Sequence, residues 1–143
     1  MERTDVAVDA FLDGVDDPRA GDLRALDRVI ADELAGLERV LWQGVMWGGT
    51  EQRIIGYGGI RQPRPRGADV EWFLVGLAMQ QRHLSVYVNA VEGGEYLVQA
   101  RRTVLGRVKV GAAAITFTRL DDLDLEAFRL LVRRARELAG DAT

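Results

Sequence analysis

Apolar residues recur along this chain with two different periods, and the change of period divides it. From about Arg19 to Leu34 the residues Leu23, Leu26, Ile30 and Leu34 follow helical spacing, while Asp22, Arg24, Asp27, Arg28 and Asp32 take the wet side. That pattern predicts an amphipathic helix, ended by Gly36. A shorter helix is predicted over about Val6 to Leu12, with Thr4 or Asp5 as its cap and Gly14 through Pro18 as its end. After Leu37 the pattern becomes short apolar runs separated by glycines: Val40 to Met46, Ile54 to Tyr57, Val70 to Leu77 and Leu84 to Val88. These read as strands, mostly antiparallel. A helix is predicted over Glu95 to Leu105 with Leu97, Val98, Val104 and Leu105 inward, then a strand over Ile115 to Thr118. The last helix follows Asp124, with Leu125, Phe128, Leu131, Val132, Ala135 and Leu138 as its buried stripe. The expected architecture is α+β in two layers, an antiparallel sheet of about five strands packed against N-terminal and C-terminal helices.

Composition narrows this picture mainly by exclusion. At 143 residues and 48% hydrophobic, the chain is expected to be one domain with its core from about residue 6 to 138. Such a chain buries roughly two thirds of the surface its unfolded form exposes. Having no cysteine, it can form no disulfide, thiol nucleophile or Cys-ligated metal site. With His83 as the single histidine, no multi-histidine metal site forms within one chain, so a bound metal would need carboxylates. A net charge of −3 argues against nucleic acid as a partner. No leader pattern or apolar run of about 20 residues is present, which points to a cytoplasmic protein without membrane partners.

Between Ile60 and Gly67 the segment Arg61-Gln-Pro-Arg-Pro-Arg-Gly67 carries two prolines and three arginines, and an exposed, mobile loop is expected there. On the strand that follows the polar turn at Gln80–Arg82, alternation places His83, Ser85, Tyr87 and Asn89 on one face and Leu84, Val86 and Val88 on the other. A ligand pocket built from Trp47, Tyr57, His83 and Tyr87 is the first candidate site, with the imidazole as its titratable group; a histidine bonded at a sheet edge is the structural alternative. Ser85 shares the histidine's face but lacks the Gly-x-Ser-x-Gly elbow, so no catalytic residue is assigned. Catalysis by His83 would require an acid such as Glu71 or Glu51 within reach.

Two charged constellations remain. Asp5, Asp9 and Asp13 recur every four residues along the first helix, an oxygen-rich ridge suited to a hard or borderline cation, or simply the solvated side of that helix. Asp121, Asp122, Asp124 and Glu126 are explained by capping of the last helix. In Arg101-Arg102-Thr103-Val104-Leu105-Gly106-Arg107-Val108-Lys109-Val110-Gly111, glycine-freed amides beside Arg102, Arg107 and Lys109 make a candidate anion site. It is not a phosphate loop, because no Lys-Ser or Lys-Thr follows and it precedes a strand. Arg129, Arg133 and Arg136 line one face of the last helix, where dipole and solvation suffice.

Taken in order, Val8-Asp9-Ala10-Phe11-Leu12, Trp47-Gly48-Gly49, Ile55-Gly56-Tyr57-Gly58, Arg82-His83-Leu84-Ser85-Val86-Tyr87-Val88, Leu105-Gly106-Arg107-Val108-Lys109-Val110-Gly111 and Leu120-Asp121-Asp122-Leu123-Asp124-Leu125 resemble the YdhG-like family, over about Val6 to Leu138. The resemblance implies the two-layer fold and, from one branch of the family, a frataxin-like iron chaperone. The chain departs from the family where Arg107 replaces a lysine and Ala114 stands in place of a cysteine. The leading expectation is a non-enzymatic ligand-binding domain, with iron as one ligand the resemblance implies. The alternative is a homodimeric assembly module with no small-molecule site, in which the exposed sheet face or the Trp72 strand pairs with a second copy.

Overall fold

A computed structural model describes residues 1–45, 49–63 and 66–143. The elements run β1 (Glu2–Arg3), α1 (Val8–Asp13), α2 (Ala20–Glu33), β2 (Arg39–Val45), β3 (Glu51–Gln62), β4 (Val70–Met79), β5 (Leu84–Val88), β6 (Val91–Glu92), β7 (Glu95–Tyr96), α3 (Leu97–Ala100), β8 (Lys109–Val110), β9 (Ala114–Phe117) and α4 (Leu125–Leu138). Seven of these strands form one sheet in the order β1-β2-β3-β4-β5-β9-β8, and β6 and β7 make a separate hairpin. Every pairing is antiparallel. The α+β architecture expected from the sequence is the one observed, with a wider sheet. Its extra strands, β1 and β8, are two residues each, too short to leave a period-2 signature.

Alternation along the strands sorts the sheet into two faces. Leu41, Ile55, Tyr57, Val75, Leu77, Val86, Val88, Ile115 and Phe117 turn toward the helices and meet Leu23, Leu26, Ile30, Phe128, Leu131 and Val132 in the main core. Burying each of these large side chains contributes about 1.5–3 kcal/mol. The alternation breaks at Leu74 and Val75, which both join this core. Opposite them Gly58 has a φ of 77°, and a Cβ there would press on Leu37 and Leu74 at 3.3 Å, so the kink requires glycine.

Among the described residues no helix packs on the outer face, yet Trp42, Ile54, Phe73 and Ala78 are buried there. The cause is a cross-strand glycine pair. Gly56 and Gly76 are register partners, and the rings of Trp42 and Phe73 lie down into the space where their side chains would be. A Cβ on Gly56 would come within 2.6 Å of Trp42 Nε1, and one on Gly76 within 2.6 Å of Phe73 Cε2. Trp72 stacks on Phe73 with centroids 4.5 Å apart and meets Trp42 edge-on at 5.5 Å. Arg3 lies over the Trp42 ring at 5.7 Å.

Several elements differ from their predicted extents. The third helix is four residues long, and the chain turns at Arg101 to Val104; Thr103 and Val104 are β-branched and gain little from a helix that Gly106 would soon end. Val104, expected inward, is 53% exposed. Leu138, expected in the buried stripe of α4, is exposed at the helix end. Ala7 occupies the N-cap of α1 without a side-chain bond. Thr4 instead donates its hydroxyl to Leu41 O at 2.8 Å, tying the chain before α1 to β2. Asp124 caps α4 as expected, accepting from Ala127 N at 3.0 Å. Arg61 and Gln62, assigned to an exposed loop, belong to β3; Arg64 and Pro65 lie outside the described residues.

Candidate functional site

Antiparallel register decides which of the candidate residues meet. Tyr57 is on β3 facing the helices, 1% exposed, whereas Tyr87 is on β5 facing outward beside Gly76. A sheet therefore lies between them, and they line no common pocket. His83 sits half-buried at the turn before β5, and Trp47 lies outside the described residues. Ser85 is buried and donates its hydroxyl to Gln80 Oε1. Glu71 pairs with Arg61 near the start of β4, while His83 follows its far end. Eight residues of strand, about 27 Å, separate Glu71 from the Met79 end where His83 lies.

Tyr57 serves another arrangement. Its hydroxyl donates to Asp27 Oδ1 at 2.7 Å, and Arg39 reaches the same carboxylate twice, Nε to Oδ1 at 3.0 Å and Nη2 to Oδ2 at 2.7 Å. Arg39 Nη2 also donates to Asp9 Oδ1 at 2.9 Å. Asp27, assigned by spacing to the wet side of its helix, is 6% exposed; two-point binding by a guanidinium and a phenol compensates its burial. Burial, with the Asp27 carboxylate adding to it, pushes the Tyr57 phenol well above its ordinary pKa of 10.0. For Arg39 burial works against the charge, but the hydrogen bonds to Asp27 and Asp9 prevail and raise its pKa. Through Asp9 this network holds α1, a six-residue helix that has no side-chain cap and depends on tertiary contacts.

The candidate metal ridge is accordingly not a gathered site. Asp9 is committed to Arg39, Asp5 precedes α1, and Asp13 is its last residue. Among the described residues no group of three or more His, Asp or Glu side chains is placed to hold a metal ion.

The glycine-rich turn near Arg107 is likewise occupied by its own backbone. The amides of Arg107, Val108 and Gly111 donate to Asp122 O, Gly106 O and Ala114 O at 2.7, 3.0 and 2.8 Å. Gly106, with a φ of 101°, lies so close to the following turn that a Cβ would be 2.3 Å from Asp122 O. Arg102, Arg107 and Lys109 are all exposed. The amides that an anion would need are spent within the protein: that of Arg107 on the segment leading into α4, and those of Val108 and Gly111 inside the turn and the β8–β9 hairpin. Arg129, Arg133 and Arg136 do more than solvate α4: Arg129 reaches Asp32 and Glu33 of α2 at 3.3 and 3.4 Å, Arg133 grips Glu33 at 2.9 and 3.0 Å, and Arg136 donates to Glu33 O at 3.1 Å. The hydrogen bond from Arg133 holds the Glu33 carboxyl below its ordinary pKa.

What spacing did not reveal is a half-open cleft of about 820 Å³ under α1. Its back wall is Ala10 and Phe11 of α1 with Val15 and Asp16 of the following loop; its floor is Leu41 and Gln43 of β2, Thr50 to Arg53 of the β3 end, and Met79 to Gln81 at the β4 end. Gln43 and Arg53 are register partners on the helix-facing side. Gln43 Nε2 donates to Glu51 Oε1 at 3.0 Å. Among the described residues the side chains of Arg53 and Asp16 make no hydrogen bond or ion pair. The β4–β5 turn that closes one end is held by Arg19, which donates to Gln80 O at 2.7 Å and His83 O at 3.3 Å while bound to Asp17. The volume, and a largely polar floor combined with the apolar side chains of Phe11, Val15, Leu41 and Met79, suit a small, amphipathic ligand. The sequence pattern carried no signal for it, since the strand predicted over Ile54 to Tyr57 stops short of Glu51 and Arg53, which belong to β3.

No protein-family profile, curated protein or solved structure matches the chain. Among the described residues no helix is long and apolar enough to cross a membrane.

Proposed function

We propose that this chain is a non-enzymatic binding domain of the YdhG-like kind whose ligand is a small molecule held in the cleft between α1 and the ends of β2, β3 and β4. The observation that supports it is the cleft itself: about 820 Å³, with Phe11, Val15, Leu41 and Met79 offering apolar surface and Gln43, Glu51 and Arg53 at polar positions. Rigid strands set the floor, and α1, anchored through Asp9 and Arg39, sets the wall. Such a site binds by burying an apolar body and orienting it with a few polar contacts. Iron binding draws no support from the placement of Asp5, Asp9 and Asp13. For the homodimer, the outer face already buries Trp42 and Phe73 within a single chain, which leaves less apolar surface for a second copy to cover.

Titration of the full chain with indole and with benzyl alcohol, followed by amide chemical shifts, tests the proposal. Saturable shifts gathered at Phe11, Val15, Leu41 and Met79, abolished in Val15→Arg, are expected. Shifts gathered elsewhere, or a stable dimer by native mass spectrometry with no shifts in the cleft, would replace the proposal with the assembly reading.

A further inference from the structure

Resting on that reading of the cleft, we infer that its ligand is a short peptide of dipeptide size, a zwitterion with apolar side chains. The argument begins with β3. Glu51 and Arg53 are two residues apart on one strand, so both side chains project from the same, helix-facing side, with Cα atoms about 6.8 Å apart. They carry opposite charge and do not pair with each other. Glu51 is engaged only through Oε1, by Gln43 at 3.0 Å, and among the described residues Arg53 has no partner. Both residues are exposed, and an arginine without a partner and a carboxylate with one oxygen free have capacity for further charge-assisted hydrogen bonds beside the apolar side chains of Phe11, Leu41 and Met79.

A ligand with one charge would satisfy one group and place its apolar body beside the other. A zwitterion satisfies both. Two residues of extended peptide span at most about 7 Å, close to the spacing of Glu51 and Arg53, because strand and ligand share the same backbone dimensions. The ammonium end then lies toward Glu51, and the carboxylate end meets the fork of Arg53. The two side chains fall against Phe11, Leu41 and Met79. A single amino acid carries its two charges on one carbon and spans half that distance, and it leaves most of the cleft unfilled.

Three probes of nearly equal size separate these terms: L-leucyl-L-leucine, its N-acetyl derivative, which lacks the ammonium, and its C-terminal amide, which lacks the carboxylate. Titrations of the full chain followed by amide shifts should give saturable binding of the dipeptide in the cleft, at least ten-fold tighter than either blocked form. Arg53→Gln should reduce dipeptide affinity about ten-fold and leave the amide probe unchanged. Glu51→Gln, which keeps an acceptor for Gln43, should reduce it similarly and leave the acetylated probe unchanged. Equal binding of all three probes in the cleft, or stronger binding of a singly charged one, overturns the inference while the small-molecule reading stands. Silence of all three where indole still shifts Val15 and Met79 does the same. If indole and benzyl alcohol also leave the cleft unperturbed, both the inference and the reading beneath it fall.

Discussion

Tyr57 on β3 and Asp27 on α2, thirty residues apart in the chain, meet inside the protein with the phenol donating to Oδ1 at 2.7 Å. Both are buried. The contact joins the sheet to the longest helix of the first half, and Arg39 extends it to α1 and the cleft wall. Removing the hydroxyl alone, in Tyr57→Phe, leaves the carboxylate with Arg39 and loses one hydrogen bond to a charged group, an expected cost of about 1.5–3 kcal/mol. Asp27→Asn should cost a similar amount or more, because it removes the counter-charge of a half-buried guanidinium. Urea unfolding of both variants and of the double variant checks this: the double variant should lose less than the two single losses added together. Additive losses would mean that the pair does not act as a unit.

The pH dependence has two limbs of opposite origin. The folded Tyr57 phenol has a pKa raised above 10.0, so above that pH the unfolded chain releases a proton that the folded one keeps. Stability is therefore fully present below pH 10 and declines above it, and Tyr57→Phe should flatten the decline. Glu33 and Glu38 are held below their ordinary 4.5 by Arg133 and Arg3. Their contribution is present above pH 4.5 and is lost as the pH falls, and Arg133→Gln should reduce that acid loss. Denaturation midpoints measured from pH 3 to 11 test both signs.

Gly56→Ala should unsettle the outer face. Gly56 has no left-handed φ, so the cost is that of displacing Trp42, whose Nε1 would lie 2.6 Å from the new Cβ, and of easing away Phe73, whose Cβ would lie at 2.9 Å. Overpacking of this kind costs about 1–3 kcal/mol. Expelling the indole toward water should also red-shift the tryptophan emission; an unchanged spectrum together with unchanged stability would contradict the ring placement.

Gly106→Ala should be worse, for two separate reasons. The residue has a φ of 101°, and its Cβ would meet a backbone oxygen, Asp122 O, at 2.3 Å. Strain of the backbone alone costs about 1–3 kcal/mol. The turn and the start of α4 should both lose amide protection in hydrogen exchange, since Asp124 N donates to Leu105 O across the same contact. Protection lost at the turn only would show that α4 does not depend on it.

Much of the architecture was legible from residue order. The period of 3.6 in Leu23, Leu26 and Ile30, the alternation of Leu84, Val86 and Val88, and Asp124 ahead of an apolar stripe each report a local preference that packing later reinforced. The candidate site was much less legible. Alternation correctly set Tyr87 apart from Val86 and Val88, but it could not say that Tyr57 faces the opposite side of the sheet, because the faces of two strands are related only through register. Asp27 reads as solvent-facing by spacing, and its burial depends on Arg39 and Tyr57 arriving from β2 and β3. The cleft was missed for the same reason, since Leu41, Arg53 and Met79 come from three strands and Phe11 from a helix.

By itself, then, the chain's pattern determined the helices at its two ends, the antiparallel middle and the absence of thiol chemistry, all properties set by near neighbours or by composition. Only the tertiary structure decided which charges are paired, which glycines receive aromatic rings, and that Glu51 and Arg53 line the cleft beside α1 without an ion pair among the described residues. Those outcomes depend on contacts between residues far apart in sequence, whose geometry exists only once strand register and helix packing are in place.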